Sequence, residues 1–324
     1  MAFQDAAGGV MLGWLTHDLA ADEAELGKPF AMVRVFQSEF DLPRPDDPEE
    51  DVPGLMEAGK LVLFSVKPPV DPALDRRSWS MVGSGAADAK LDEIVAGLKQ
   101  LSAGHGQQLV LIFGHEPHDN CGDITARPGS EKDFGTAAEF VAAFQHVSKR
   151  IRGDREADPD VKVGYCATGT EAVKGRPAGP GDPCYPGKDF VDLLCHDSYN
   201  YYRYQTRDDG SFPPWRSFEE KMEKLLTVAR HQNKRLIIAE TGCHPGQDGY
   251  SRDQWFQDAA SWLTGRPDTT ALLIGFCYFH KVHEHDWEFV NVNDGEAGYR
   301  EAFVVDSKWN GGNAAWFTST PIPL

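Results

Sequence analysis

The sequence contains no cysteine pair in CxxC spacing, so a zinc knuckle is not expected. It has no glycine-rich phosphate turn: its first strand-like run continues as Gly13-Trp14-Leu15-Thr16-His17-Asp18, unlike a doubly wound dinucleotide fold. No apolar stretch approaches the roughly 18 residues that span a bilayer. Basic residues are scarce, with 32 Lys and Arg against 50 Asp and Glu and a net charge of −18. Such a surface repels phosphate backbones and anionic membranes, so neither nucleic acid nor membrane is expected as a partner. A neutral substrate fits better. There is no short internal repeat and no low-complexity linker. Met1-Ala2-Phe3-Gln4-Asp5 has neither a basic region nor a long apolar segment, so no secretion leader is read there. A first strand near Gly9 is what a trimmed mature form would show.

What is present is a core-forming chain. Its 324 residues are 41% hydrophobic and 25% charged, the balance of a globular protein. That length holds one α/β barrel with long loops, or two ordinary domains. Eight strand-like runs are expected at Val10–Thr16, Phe30–Phe36, Leu61–Val66, Leu109–Phe113, Val161–Tyr165, Val191–Cys195, Leu236–Ala239 and Ala271–Tyr278. Helical faces lie between several of them. Leu91, Ile94, Val95, Leu98 and Leu101 form one, and Phe140, Val141, Phe144, Val147 and Ile151 form another that stops at Gly153. Ser217-Phe218-Glu219-Glu220 reads as a capping box, and Ser251 opens a further helix with Trp255, Ala259 and Trp262 inward. Strand and helix alternating about eight times predict class α/β, a (β/α)8 TIM barrel, as a single domain over residues 1–324.

Such barrels keep their chemistry at the C-terminal strand ends. Those ends are crowded with polar and aromatic groups here. They carry Trp14, His17 and Asp18; Gln37 and Ser38; Lys67; His115, Glu116 and His118; Cys166 and Thr168; His196, Asp197, Tyr199 and Asn200; Glu240; Tyr278, Phe279 and His280, then Trp287. Two of the apolar runs stop at a glutamate, Glu116 after the fourth and Glu240 after the seventh. A carboxylate where burial ends is costly without a partner or a role. Two that converge suit retaining glycoside hydrolysis, with one as acid/base and the other as nucleophile, about 5–5.5 Å apart. Tyr199, on the neighbouring sixth strand, is placed to orient Glu240. Trp287, Trp14 and Tyr278 offer flat faces for sugar stacking, and Asp197 is read as holding the barrel rim. The competing reading is structural: each glutamate caps a helix or pairs with Arg34 or Lys67, and His115 is a core histidine.

Four motifs in order then give a resemblance. His115-Glu116-Pro117 ends the fourth strand. Tyr185-Pro186-Gly187, Val191-Asp192 and Asp197-Ser198-Tyr199-Asn200 surround the sixth. Ala239-Glu240-Thr241-Gly242 ends the seventh, and Tyr278-Phe279 with Asp286-Trp287 follow the eighth. The chain resembles clan-A glycoside hydrolases, nearest glycoside hydrolase family 26 (endo-β-mannanase-like) and its actinobacterial-type relatives, over most of its length. The resemblance implies Glu116 as acid/base and Glu240 as nucleophile. It implies that His115 bonds the sugar or the nucleophile, and that Tyr199 orients the nucleophile. It also implies an extracellular or cell-surface location. Mannanases of the family often carry Gly and Trp soon after the His-Glu pair, where this chain has His118-Asp119-Asn120-Cys121-Gly122. β-Mannan, β-1,3- or mixed-linkage β-glucan and β-xylan therefore stay open.

The expected partner is a β-linked polysaccharide or oligosaccharide, met by a monomer with no cofactor and no metal. Two other classes compete: a non-catalytic carbohydrate-binding barrel, and a metal-dependent barrel hydrolase using His280, His283, Glu284, His285 and Asp286. The second lacks the His-x-His that such barrels place on strand one. Of six cysteines, Cys195 and Cys277 lie inside apolar runs and read as buried thiols. Cys121, Cys166, Cys184 and Cys243 lie at strand ends or in loops. One or two disulfides among them would imply an oxidising compartment, with no pairing readable from the sequence.

Overall fold

The structure is a computed structural model. It describes residues 10–44, 51–103, 105, 109–153, 161–167, 181–203, 210–246, 248–266, 272–281, 287 and 295–304. Eight parallel strands close a barrel: β1 (Met11–Leu15), β2 (Met32–Gln37), β3 (Leu61–Val66), β4 (Leu109–Phe113), β5 (Val161–Ala167), β6 (Leu193–Asn200), β7 (Arg235–Cys243) and β8 (Leu273–Phe279). Each pairs with its sequence neighbours, and β1 closes the ring against β8. The expected (β/α)8 fold is therefore the observed one. The sixth and seventh runs extend further than the apolar residues alone indicate, because Asp197 to Asn200 and Glu240 to Cys243 continue the ladder.

The helices are α1 (Leu19–Leu26), α2 (Val52–Glu57), α3 (Trp79–Gly83), α4 (Asp88–Ser102), α5 (Ala137–Arg152), α6 (Phe218–Gln232), α7 (Arg252–Thr264) and α8 (Glu296–Tyr299). Both α5 and α6 start in complete capping boxes, from Thr136 with Glu139 and from Ser217 with Glu220. Gly153 ends α5. Between β5 and β6 the described residues contain one 3-10 turn, Lys188–Phe190. No described helix is long and apolar enough to cross a membrane.

Strand alternation divides the core into two layers. Leu12, Trp14, Val33, Val35, Leu194, Leu236, Ile238 and Tyr278 face the helices. Met11, Met32, Leu61, Leu63, Val110, Ile112, Leu193, Cys195, Ile237, Ala239 and Cys277 fill the barrel. The filling is tight. A Cβ on Gly13 would lie 2.5 Å from Cys277 Sγ and 2.9 Å from Met32 Cε. The interior is thus a packed floor rather than a channel, and chemistry is confined to its C-terminal mouth.

Candidate active site

The layer rule alone sends Glu240 the wrong way. On β7, Leu236 and Ile238 face the helices, so strict alternation would turn Glu240 outward as well. A bulge intervenes. His196 pairs with Ile238, yet the next residue, Asp197, pairs with Glu240, leaving Ala239 unmatched. The β8 side has the same extra residue, with Phe276 opposite Ile238 and Tyr278 opposite Thr241. Such bulges re-aim side chains beside functional sites. Here the bulge brings Glu240 into the barrel mouth just above Ala239.

Two groups meet the Glu240 carboxyl there. Arg34, pointing inward from β2, lies 2.9 Å from Glu240 Oε1 and 2.6 Å from Asp197 Oδ1. The Tyr199 hydroxyl donates to Glu240 Oε2. Arg34 and Asp197 side chains are fully enclosed, while that of Glu240 keeps 9% exposure. The guanidinium also sits 4.5 Å over the Phe36 ring, whose edge meets His115 at 5.0 Å. One cation thus holds two carboxylates, and only Glu240 reaches the opening. Burial raises the Glu240 carboxyl to about 7 against the pull of Arg34 and the Tyr199 hydroxyl.

Glu116 comes from the opposite rim. Gly114 and Glu116 both have left-handed backbone, with φ of 60° and 50°. A Cβ at Gly114 would strike Trp79 at 2.6 Å, so glycine is needed there twice over. A non-glycine residue held in this region stores roughly 1–3 kcal/mol of strain, which concentrates at functional sites. The Glu116 N–H donates to Cys166 O at 3.0 Å, and the chain then enters the 3-10 turn Pro117–Asn120. Burial first, then the charges of Asp197, Glu240 and Asp119, hold the Glu116 carboxyl well above the ordinary range. Glu116 thus feels the charge of Glu240, while the Arg34 cation sits directly on Glu240 and favours its ionised form. His115 is driven well below its usual value by burial and by the Arg34 and Lys67 cations, so its imidazole is neutral at pH 7.

Tyr199 packs on Trp287 at 4.9 Å and on Tyr201 at 5.4 Å. Tyr201 is 38% exposed and is the accessible ring of this group. A further pocket of about 550 Å³ lies along the loop after Glu116, lined by residues that include Asp119, Arg127 and Lys132.

Several expected site residues are not at the mouth. Trp14 and Tyr278 are completely buried behind the barrel wall. Trp14 stacks on Phe30 at 4.4 Å and contacts Tyr278 at 5.6 Å. Both are strand-end residues of helix-facing parity, so neither offers a sugar platform. Trp287 is only 4% exposed, and it backs Tyr199 rather than presenting an open face. Asp197, at 1% exposure, grips Arg34 and does not meet solvent. Asp18 caps α1 through Ala21 N, and Asp192 accepts from Val163 N. His280 stacks on Trp14 at 5.0 Å. Thr168, His283, Glu284, His285 and Asp286 lie outside the described residues. None of the six cysteines forms a disulfide in this structure, and all are buried. Sequence reasoning named Arg34 only as a counter-ion, and it missed Phe36 and Tyr201. A lone arginine in the apolar run Met32-Val33-Arg34-Val35 was the available signal.

No protein-family model matches the sequence, and no curated protein matches it. Solved structures do. The GH26 endo-β-1,4-mannanase catalytic domain of Bacillus sp. JAMB-750 aligns with TM-score 0.62 at 12% identity, over 97% of this chain and 91% of that one. The chain has the fold of the family 26 mannanases. A modular endo-β-1,4-mannanase from Cellulomonas fimi aligns at TM-score 0.60 and 14% identity, over 96% of this chain and 73% of that one. The GH26 β-mannanase of Bacteroides ovatus aligns at 0.58 and 14%, over 93% and 90%.

Proposed function

We propose that the protein is a retaining β-glycoside hydrolase acting on a β-linked polysaccharide, with Glu240 as nucleophile and Glu116 as acid/base. The observation that carries this reading is the bulge at Ala239, which turns Glu240 into the mouth and onto Arg34 and Tyr199. A glutamate kept only as a counter-ion would not need its own opening, because Asp197 already serves Arg34 from full burial.

In the first step neutral Glu116 gives its proton to the glycosidic oxygen as the Glu240 carboxylate attacks the anomeric carbon. The C–O bond to the leaving sugar breaks, and a glycosyl ester forms on Glu240. Glu240 loses its charge in that ester. Arg34 is not left unpaired, since Asp197 stays within 2.6 Å. The same loss removes one of the charges that hold Glu116 protonated, so Glu116 becomes the more acidic group. It can then take a proton from water, which attacks the ester and releases the sugar with its original configuration. Neutral His115, packed against Phe36 and next in sequence to Glu116, supplies a hydrogen-bonding ring without adding charge.

The mannanase activity of the structural neighbours makes β-1,4-mannan the first substrate to try. The altered residues after His115-Glu116 keep β-glucan and β-xylan on the panel. Purified protein should release reducing ends from one of these glycans, and Glu240→Ala should release none while melting like the wild type. Near-normal release by Glu240→Ala would remove Glu240 from its role. Glu116→Ala should slow natural glycans far more than activated aryl glycosides, with azide restoring turnover on the latter. Equal losses on both, without rescue, would remove Glu116 from its own.

A further inference from the structure

The turn that follows Glu116 is tied to a distant part of the chain by one side-chain cluster. Cys121 closes that turn, and Cys184 lies in the segment leading to β6. Their sulfurs are 4.0 Å apart across a separation of 63 residues, and both residues are fully buried. Beside them His118 Nε2 and Asp182 Oδ1 are 2.7 Å apart, so the same two segments are already docked by a second contact. Each side is fixed by its own backbone. The Cys121 carbonyl accepts from Ile124 N and Ala126 N, and Gly122 N donates to Gly135 O. Cys184 N donates to Asp182 Oδ1 at 2.9 Å, and the Tyr165 hydroxyl donates to Asp182 Oδ2 at 2.7 Å. To form an S–S bond the sulfurs must close from 4.0 Å to roughly 2.05 Å.

We propose that Cys121 and Cys184 are a covalent modification site, oxidised to a disulfide that clamps the turn bearing Glu116 to the segment before β6. The oxidant is a low-molecular-weight disulfide of the glutathione type. One cysteine thiolate attacks it and expels one thiolate, forming a mixed disulfide. The second cysteine thiolate displaces the other half. The two cysteines together give up two protons and two electrons, and one small disulfide becomes two small thiols. Both sulfurs are buried in the finished fold, and the contact with Cys121, then burial, raises the Cys184 thiol far above its usual range. Exchange therefore belongs to folding, while the sulfurs are still accessible. The bond closes a long loop around β5, where cross-links remove the most freedom from the unfolded chain. It also places the protein in an oxidising compartment.

The test is a peptide map that needs no activity, so its outcome is independent of the hydrolase reading. The full chain is folded in a mixture of oxidised and reduced glutathione, denatured, alkylated and digested without reductant. The expected result is one linked peptide pair holding Cys121 and Cys184 that reductant splits, with Cys166, Cys195, Cys243 and Cys277 alkylated. Reduction should lower Tm by about 5 °C or more. The Cys121→Ser, Cys184→Ser double variant should match the reduced protein and ignore reductant. Full alkylation of Cys121 and Cys184 after oxidative folding would overturn the proposal. So would about one equivalent of zinc retained through gel filtration, with both thiols shielded until chelation, since His118, Asp182 and Cys184 can together also hold a metal ion.

Discussion

At the scale of single residues, Arg34 is the hinge of the site. Among the described residues it is the one cation in ion-pair contact with Asp197 and Glu240, and both carboxylates are enclosed with it. Removing one member of a buried ion pair costs about 3–5 kcal/mol, because the remaining charge is stranded. Arg34→Met should therefore lower stability by about that amount in urea unfolding, and should raise the acid limb of the kcat/KM profile. Tyr199 makes a smaller contribution. A hydrogen bond to a charged group contributes about 1.5–3 kcal/mol, so Tyr199→Phe should cut kcat/KM roughly 10- to 100-fold without changing the fold.

The acidity of the two glutamates also gives a signed pH dependence. Glu240 must be ionised to attack, and burial raises it to about 7, so kcat/KM should fall below about pH 7. Glu116 must be protonated, and burial with the neighbouring carboxylates holds it well above the ordinary carboxyl range, so activity should fall again on the alkaline side. Stability follows the opposite logic. A carboxyl whose folded value exceeds its unfolded value binds protons more tightly when folded. Its contribution is complete below the unfolded value of about 4.3 and is lost as pH rises through the folded value. Glu116→Gln should thus raise Tm by about 2–4 °C at pH 8 and leave it nearly unchanged at pH 4, as measured by calorimetry. An equal shift at both values would show that Glu116 is not the strained titrating group.

At the scale of elements, the important features are the irregular ones. The bulge in β7 aims Glu240, and the left-handed pair Gly114 and Glu116 aims the other carboxyl. Gly114→Ala should therefore do more than cost stability. Its Cβ meets Trp79, the turn must shift, and Glu116 shifts with it. A loss of about 1–3 kcal/mol together with a fall in kcat is expected, checked by unfolding and steady-state rates. Regular elements were legible in the sequence because each has a local signal. The runs Leu61–Val66 and Leu109–Phe113 are strands to the residue, since apolar residues fill them apart from Ser65 and they are followed by Lys67 and Gly114. The Ser217 capping box marks the start of α6 for the same reason.

At the scale of the whole molecule, alternating runs made the barrel readable, and the rule that chemistry lies at strand ends brought Glu116, Glu240, His115 and Tyr199 together. What stayed hidden depends on which side of a strand a residue faces. Trp14 and Tyr278 stand at strand ends like Glu116, but their parity sends them under the helices. Glu240 has the same outward parity until the bulge reverses it, and no residue type at Ala239 announces a bulge. Asp197 and Arg34 pair across the barrel from β6 and β2, a contact 163 residues long that no local pattern encodes.

The most direct test of the account is the configuration of the first-formed reducing end, followed by proton NMR during hydrolysis of the best glycan. The β anomer should appear first and then mutarotate, because two inversions at one carbon restore the starting configuration. Initial appearance of the α anomer would mean single displacement by water, and would contradict Glu240 as a nucleophile.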